Sequence, residues 1–391
     1  MTLRLLAFFQ HMPPYASAAA LRGQSIVGGL VTVLGSRPFA LRVLTTTPQA
    51  TPTHSVELTT LPGSEVESAT GLVARSWGEL RMGWVASRAM ANDNRGVDLL
   101  VVSTPSYIAA LILCARARRL GIPYVLDVRD IYPQAYAEAG LIARGGWLYR
   151  FFAARSRALY RGARRVLTAT QGLAREVASA APGVDVQCIY NGFPAALSER
   201  RALKHERFSV CFHGALGFFQ DVETLVTVAS RLRPLDVDVV VIGYGRKEAL
   251  LRHAALDNLR FLGRLGFEDT IAEVERCHVG LCLRHDDEIS RDAFPVKVWE
   301  YLGLGMPSIV TPACEAGAFL EEHNCGFQLP AGDVEAIVNT LSRLKSNPDE
   351  CHALSTACRA AAERFTREGL GNQAARTLLA DACRLACNGA W

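Results

Sequence analysis

The chain has 391 residues, half of them hydrophobic, and a formal charge of +4. This length suits two or three domains with full cores, the composition excludes a disordered chain, and no apolar run reaches the roughly 18 residues of a spanning helix. The charge is uneven: residues 1–200 hold 21 arginines, no lysine and 12 acids, a balance of +9 against −5 for the remainder, so the first half favours an anionic neighbour.

The opening LRLLAFFQ has too short an apolar core and no small-residue cleavage site for a signal peptide. It reads as a first β-strand, and the protein is expected in the cytoplasm. Apolar strands then alternate with helical stretches throughout, the pattern of α/β domains with parallel sheets. Strands are expected near 3–9, 40–46, 98–103, 123–128, 165–169 and 186–189, and again near 208–213, 237–242, 259–262, 279–284, 307–311 and 326–329. This makes two Rossmann-like parallel-sheet domains, 1–195 and 207–365, joined through the polar run SERRALKHER and followed by a helical end, 366–391. Ligands of such sheets bind beyond the carboxyl ends of the strands, so a cleft faced by both domains is the expected site. The eleven cysteines are scattered, with no Cys-x-x-Cys pair and no Cys/His cluster at ligand spacing. Disulfides and zinc are therefore not expected, and the cysteines read as small buried hydrophobes.

After the first strand, HMPPYASAAALRGQ places Ala16, Ser17 and Ala18 at a helix start. Small side chains there let backbone approach a ligand, and a plain helix cap is the other reading. The strand YVLDVRD ends in Asp127, Arg129 and Asp130, charges that either face a ligand or close the loop as an Arg129–Asp130 ion pair. Two aspartates without a third ligand make a poor metal cage. Residues 144–165 contain seven arginines and no acid. At 100° per residue, Trp147, Leu148, Phe151, Phe152 and Leu159 gather on one side of that helix, and Arg150, Arg157 and Arg161 line another edge. The composition suits contact with an anionic membrane surface; the alternative is an apolar face packed on the first sheet. No recognised nucleic-acid module surrounds it.

In the second half, VCFHGALGFFQDVETL sets Gly214 between a strand and a helix, a turn open to a diphosphate, and Gly243 and Gly245 make a second tight turn. The run RDAFPVKVWEYLGLG, Arg291 to Gly305, concentrates the chemistry. Pro295 suits a helix start beside Phe294, and the free N–H groups there seat a phosphate. Lys297 and Glu300, three apart, share a face that meets phosphate and sugar hydroxyl. Asp292, eight residues before Glu300, lies outside the helix where it can accept bonds from a second sugar.

This spacing resembles the Glu-x7-Glu signature of family-4 retaining glycosyltransferases of the GT-B fold, with Asp292 and Glu300 at the two acidic positions. The FPxKxxEYL form resembles the branch that builds bacterial surface polysaccharides. The resemblance implies that Glu300 holds the nucleotide ribose and Asp292 the transferred sugar, and that Arg264 and Leu265 of NLRFLGRLGFED edge the base. It puts Arg129 and Asp130 on the acceptor side, and CIYNGFP at the close of the first domain. Two departures stand out. Relatives carry a Gly-Gly pair where this chain has Ala16, Ser17 and Ala18, and an arginine and a lysine where it has Ala215 and Gln220. Lys297, one of only four lysines, is the best-placed replacement cation.

The expected activity is transfer of a sugar from a nucleotide diphosphate donor to a hydroxyl acceptor, a lipid-linked glycan at the inner face of the cytoplasmic membrane, with retention and without a metal or other cofactor. A sugar-nucleotide epimerase of the same architecture and a catalytically silent binding subunit are the alternatives.

Overall fold

The computed structural model describes residues 2–15, 17–47, 56–62, 72–91 and 96–388. The chain divides into two compact units, Met1–Asn191 with Glu368–Trp391, and Gly192–Arg367.

The first unit holds seven strands: β1 (Leu3–Phe8), β2 (Phe39–Thr45), β3 (Val56–Thr60), β4 (Leu99–Ser103), β5 (Tyr124–Val128), β6 (Arg165–Thr168) and β7 (Val186–Cys188). All pair in parallel, in the order β3-β2-β1-β4-β5-β6-β7. Central β4 (LLVVS) and β5 (YVLDV) are buried at every position, as parallel strands covered on both faces must be. The edge strand β3 (VELTT) is only partly covered, and its mixed pattern gave no strand signal in the sequence.

A buried arginine fastens this unit near its carboxyl-end loops. Arg22, on helix Ala18–Leu34, donates from Nε to Asp127 at 2.6 Å and from Nη1 to the Ile189 carbonyl at 2.6 Å. Ser103 donates to the other oxygen of Asp127 at 2.9 Å. The ends of β4, β5 and β7 are thus tied together, and a buried ion pair is tolerable because further hydrogen bonds satisfy it. The last helix, Arg367–Asn388, packs on the same helix Ala18–Leu34: a Cβ on Gly29 would overlap the Gly371 carbonyl.

The second unit holds β8 (Ser209–His213), β9 (Asp238–Ile242), β10 (Leu259–Phe261), β11 (Val279–Leu283), β12 (Ser308–Thr311) and β13 (Gly326–Gln328), again all parallel, in the order β10-β9-β8-β11-β12-β13. Both units therefore repeat one doubly wound topology. Its direction reverses between β1 and β4 in the first unit and between β8 and β11 in the second. Ligands of such sheets bind beyond the strand ends at that reversal.

Candidate active site

The loop after β8 begins at Gly214, whose φ of +112° suits glycine. It is laced to the loop after β9, since Gly214 donates to the Ile242 carbonyl at 2.9 Å and Leu216 to the Tyr244 carbonyl at 2.8 Å. Gly243 is required by this approach, because a Cβ there would collide with the Gly214 carbonyl.

Facing this loop is helix Val296–Gly303, with Pro295 at its N-cap in an extended conformation. One side of the helix is anchored by packing: Trp299 stacks on Phe294 at 3.9 Å between centroids, and Phe319 meets both edge-on. Tyr301 reaches back to the Leu281 carbonyl at 3.2 Å. This leaves Lys297 and Glu300 on the side turned to β8, both buried.

Lys297 Nζ sits 3.7 Å from the position of a Cβ on Gly214, 3.6 Å above the Phe212 ring and 3.1 Å from Gln220 Oε1. No carboxylate pairs with it among the described residues, and burial lowers its pKa to about 8. Glu300 is one turn on. Its carboxylate lies 3.5 Å from His213 Nε2, too long for a good hydrogen bond, and that buried nitrogen has no hydrogen-bond partner. Burial raises Glu300 to about 7 against the pull of Arg367 and Lys297, and burial lowers His213 to about 3. His213 is therefore neutral at physiological pH. Arg284, just after β11, is also buried, and its Nε has no partner.

A lysine, a carboxylate, an imidazole and a guanidinium are thus buried with incomplete partners at one sheet reversal. Buried polar groups are normally satisfied, so the arrangement calls for a ligand that has both anionic and hydroxyl groups. A nearby acidic group, Asp221, Glu223 and His285, could also hold a cation. Lys247 already serves it, with Nζ 2.8 Å from Glu223 and 3.0 Å from His285 Nε2.

The other sequence-predicted residues are placed as follows. Asp292 is exposed at the end of the short helix Glu288–Arg291. Phe294 spends its ring on the Trp299 stack. Arg264 is exposed over the Tyr244 ring at 4.4 Å, and Leu265 beside it is half-buried. In the first unit, Arg129 is half-buried and donates to the Ala18 carbonyl at 2.9 Å, while Asp130 is exposed. Ser17 caps helix Ala18–Leu34, accepting from Ala20 N–H at 3.1 Å; Ala16 lies outside the described residues. On helix Trp147–Gly162 the expected apolar face divides. Leu148, Phe152 and Leu159 turn inward, whereas Trp147 and Phe151 are exposed with Arg150, Arg157 and Arg161. His213 and Arg284 were missed in the sequence, although each is a polar residue at the carboxyl end of an apolar strand.

The two sheets and the site define an α/β enzyme with paired Rossmann-like units. The family described as "Glycosyl transferases group 1" matches residues 207–347, and the "Glycosyl transferase 4-like domain" matches residues 23–192. Among solved structures, WaaG, a glycosyltransferase involved in lipopolysaccharide biosynthesis, is similar at 15% identity with a TM-score of 0.70, over 96% of this chain and 99% of that one. Sucrose-phosphate synthase from Thermosynechococcus elongatus is similar at 13% identity and 0.73, over 97% and 100%. HepE from Anabaena, in complex with UDP, is similar at 15% and 0.67, over 97% and 100%. At these identities the structural likeness establishes the fold. No curated protein matches the sequence. The chain belongs to the glycosyltransferases, with the GT-B fold.

Proposed function

We propose that the protein is a family-4 retaining glycosyltransferase that moves a sugar from a nucleoside diphosphate sugar to a hydroxyl of a lipid-linked glycan, in the building of a bacterial surface polysaccharide. The observation that carries this reading is the set of buried, incompletely partnered groups beside Gly214, namely Lys297, Glu300 and His213. Lys297 and the N–H groups of helix Val296–Gly303 meet the diphosphate, whose charge grows as it leaves. Glu300, ionised, accepts from the ribose hydroxyls. Asp292 positions the transferred sugar, and Arg129 and Asp130 serve the acceptor. No protein nucleophile takes part: the leaving phosphate accepts the acceptor's proton on the same face. The reading needs no metal ion, since Lys297 and the helix supply the positive charge and Lys247 already neutralises the acidic group at Glu223.

Membrane contact in the first unit draws support from a second helix. No helix among the described residues is long and apolar enough to cross a membrane. Helix Leu72–Ala91 exposes Trp77, Leu80 and Trp84 along one stripe, with Arg88 over Trp84 at 4.0 Å. Helix Trp147–Gly162 exposes Trp147 and Phe151, with Arg155 over Phe151 at 5.0 Å. Both helices flank helix Tyr107–Arg119. Aromatic rings interleaved with arginines suit the headgroup layer of an anionic leaflet, which supports the reading of docking at the cytoplasmic face. WaaG, similar in fold, is described as a glycosyltransferase involved in lipopolysaccharide biosynthesis, which supports the reading of a surface polysaccharide as the product.

The test is a thermal-shift panel of UDP, GDP, dTDP and ADP, followed by product analysis of the matching nucleotide sugars with and without acceptor. One diphosphate at a hundred times its dissociation constant should stabilise by about 2.7 kcal/mol. Absence of any stabilisation would overturn the reading, and conversion of donor without acceptor would mark an epimerase instead.

A further inference from the structure

A nucleoside diphosphate sugar carries two negative charges on its phosphates, and a seat at a buried sheet reversal must balance both. Lys297 supplies one charge. Ala215 and Gln220, on the loop that faces it, supply none. Lys247, the other lysine nearby, is engaged by Glu223 and by the Gln220 carbonyl.

Arg284 follows β11, directly across the reversal from β8. Its backbone is fixed on two sides, donating to the Thr311 carbonyl at 3.1 Å and forming an antiparallel bridge to Gln220. Its side chain lies with the guanidinium carbon 5.7 Å from the Phe219 ring centroid. The residue is only 8% exposed, its Nε is buried without a hydrogen-bond partner, and no carboxylate pairs with it among the described residues. Lys297, itself 8% exposed, donates to the side chain of Gln220, the residue whose backbone is bridged to that of Arg284. A buried guanidinium nitrogen without a partner is costly to the folded protein, and a bound anion relieves that cost.

Glu300 faces His213, Lys297 one turn before it donates to Gln220, and the Gln220 backbone is bridged to that of Arg284, so along this series of contacts Lys297 comes between the other two. Building on the donor reading above, with the ribose at Glu300, we propose that Arg284 is the second diphosphate ligand, holding the outer phosphate that is bonded to the transferred sugar. In the reaction the bond from the sugar's anomeric carbon to the bridging oxygen breaks and its electron pair stays on that phosphate. The acceptor oxygen bonds to the anomeric carbon, and its proton passes to the phosphate. Arg284 meets the oxygens on which this charge develops, in a forked geometry that a lysine cannot reproduce. It thereby takes over the work of the cations absent at Ala215 and Gln220.

The experiment is calorimetry of wild type, Arg284→Gln and Arg284→Lys with the diphosphate that wild type binds best among UDP, GDP, dTDP and ADP, and with the matching monophosphate. Arg284→Gln should weaken the diphosphate by about tenfold to a hundredfold and the monophosphate by less than about twofold. Arg284→Lys should recover part of the loss. The melting temperature of unliganded Arg284→Gln should not fall, since an unpaired buried charge has been removed. An unchanged diphosphate-to-monophosphate ratio, or equal losses for both, would overturn the assignment while the donor reading stands. If wild type binds none of the four diphosphates, the donor reading falls and this assignment with it.

Discussion

Lys297→Met exposes the conflict between stability and binding that the site implies. Burial takes the ammonium from its ordinary pKa of 10.5 to about 8. At about 1.4 kcal/mol per unit, the unliganded protein carries about 3 kcal/mol of unfavourable charge at pH 7. Methionine keeps the length and apolar volume of the side chain but loses the attraction to the Phe212 ring and to Gln220. The net expectation is a gain of about 1–3 kcal/mol in unliganded stability, or about 2–4 °C for each kcal/mol in a unit of this size. The sign is set by the depressed pKa. The penalty is complete below about 8 and is relieved as pH rises toward 10.5, so the gain should be full at pH 7 and shrink in alkaline buffer. Diphosphate affinity should fall at the same time by about tenfold or more. Differential scanning fluorimetry at pH 7 and pH 10, with and without nucleotide, reads both effects. A lower melting temperature for the unliganded variant at pH 7 would refute the reasoning, because Lys297 would then be a satisfied structural cation.

Three further outcomes follow from the same site and surface. The pH profile of kcat/KM should rise through about 7 as Glu300 ionises and fall above about 8 as Lys297 loses its proton; Lys297→Arg should extend the alkaline limb, and a flat profile across pH 6–9 would contradict the assignment. Glu300→Gln should weaken ribonucleotide binding by about tenfold and abolish the acid limb, since an amide has half the acceptor capacity of a carboxylate; unchanged affinity with an intact fold would remove Glu300 from the ribose. Replacing Trp77, Trp84 and Trp147 by Ser should reduce cosedimentation with anionic liposomes at all salt concentrations, while Arg150, Arg157 and Arg161 changed to Gln should reduce it most at low salt. Wild-type sedimentation by both variants would leave the aromatic stripes unexplained.

The strands were readable because parallel strands covered on both faces are continuous apolar runs. All twelve expected strands form, with ends shifted by no more than one residue. β3 escaped because VELTT is a half-exposed edge whose alternation is blurred by threonines. Helix Val296–Gly303 was also readable, since Pro295 sets its start and a spacing of three places Lys297 and Glu300 together. His213 and Arg284 were harder, because their significance lies in pairings across long stretches of chain: His213 meets Glu300, and Arg284 meets Gln220. No local period reports such pairings. The split face of helix Trp147–Gly162 was equally hidden. The helical wheel groups Trp147 with Leu148 and Phe151 with Phe152, but it is the neighbouring Tyr107 and Tyr136, edge-on to Phe152 at 5.8 and 5.9 Å, that cover one ring. Arg22 looked like one more basic residue in an arginine-rich half, until its contact with Asp127 across 105 residues showed it to be a structural tie.

In the proposed donor complex the diphosphate occupies the space between Gly214 and Lys297. A crystal structure with the best-binding nucleoside diphosphate tests it most directly. Phosphate oxygens are expected within about 3 Å of Lys297 Nζ, with the Lys297–Gln220 bond exchanged for that contact and ribose hydroxyls on Glu300. A nucleotide bound elsewhere, with Lys297 still on Gln220 and Glu300 without a hydroxyl partner, would contradict it.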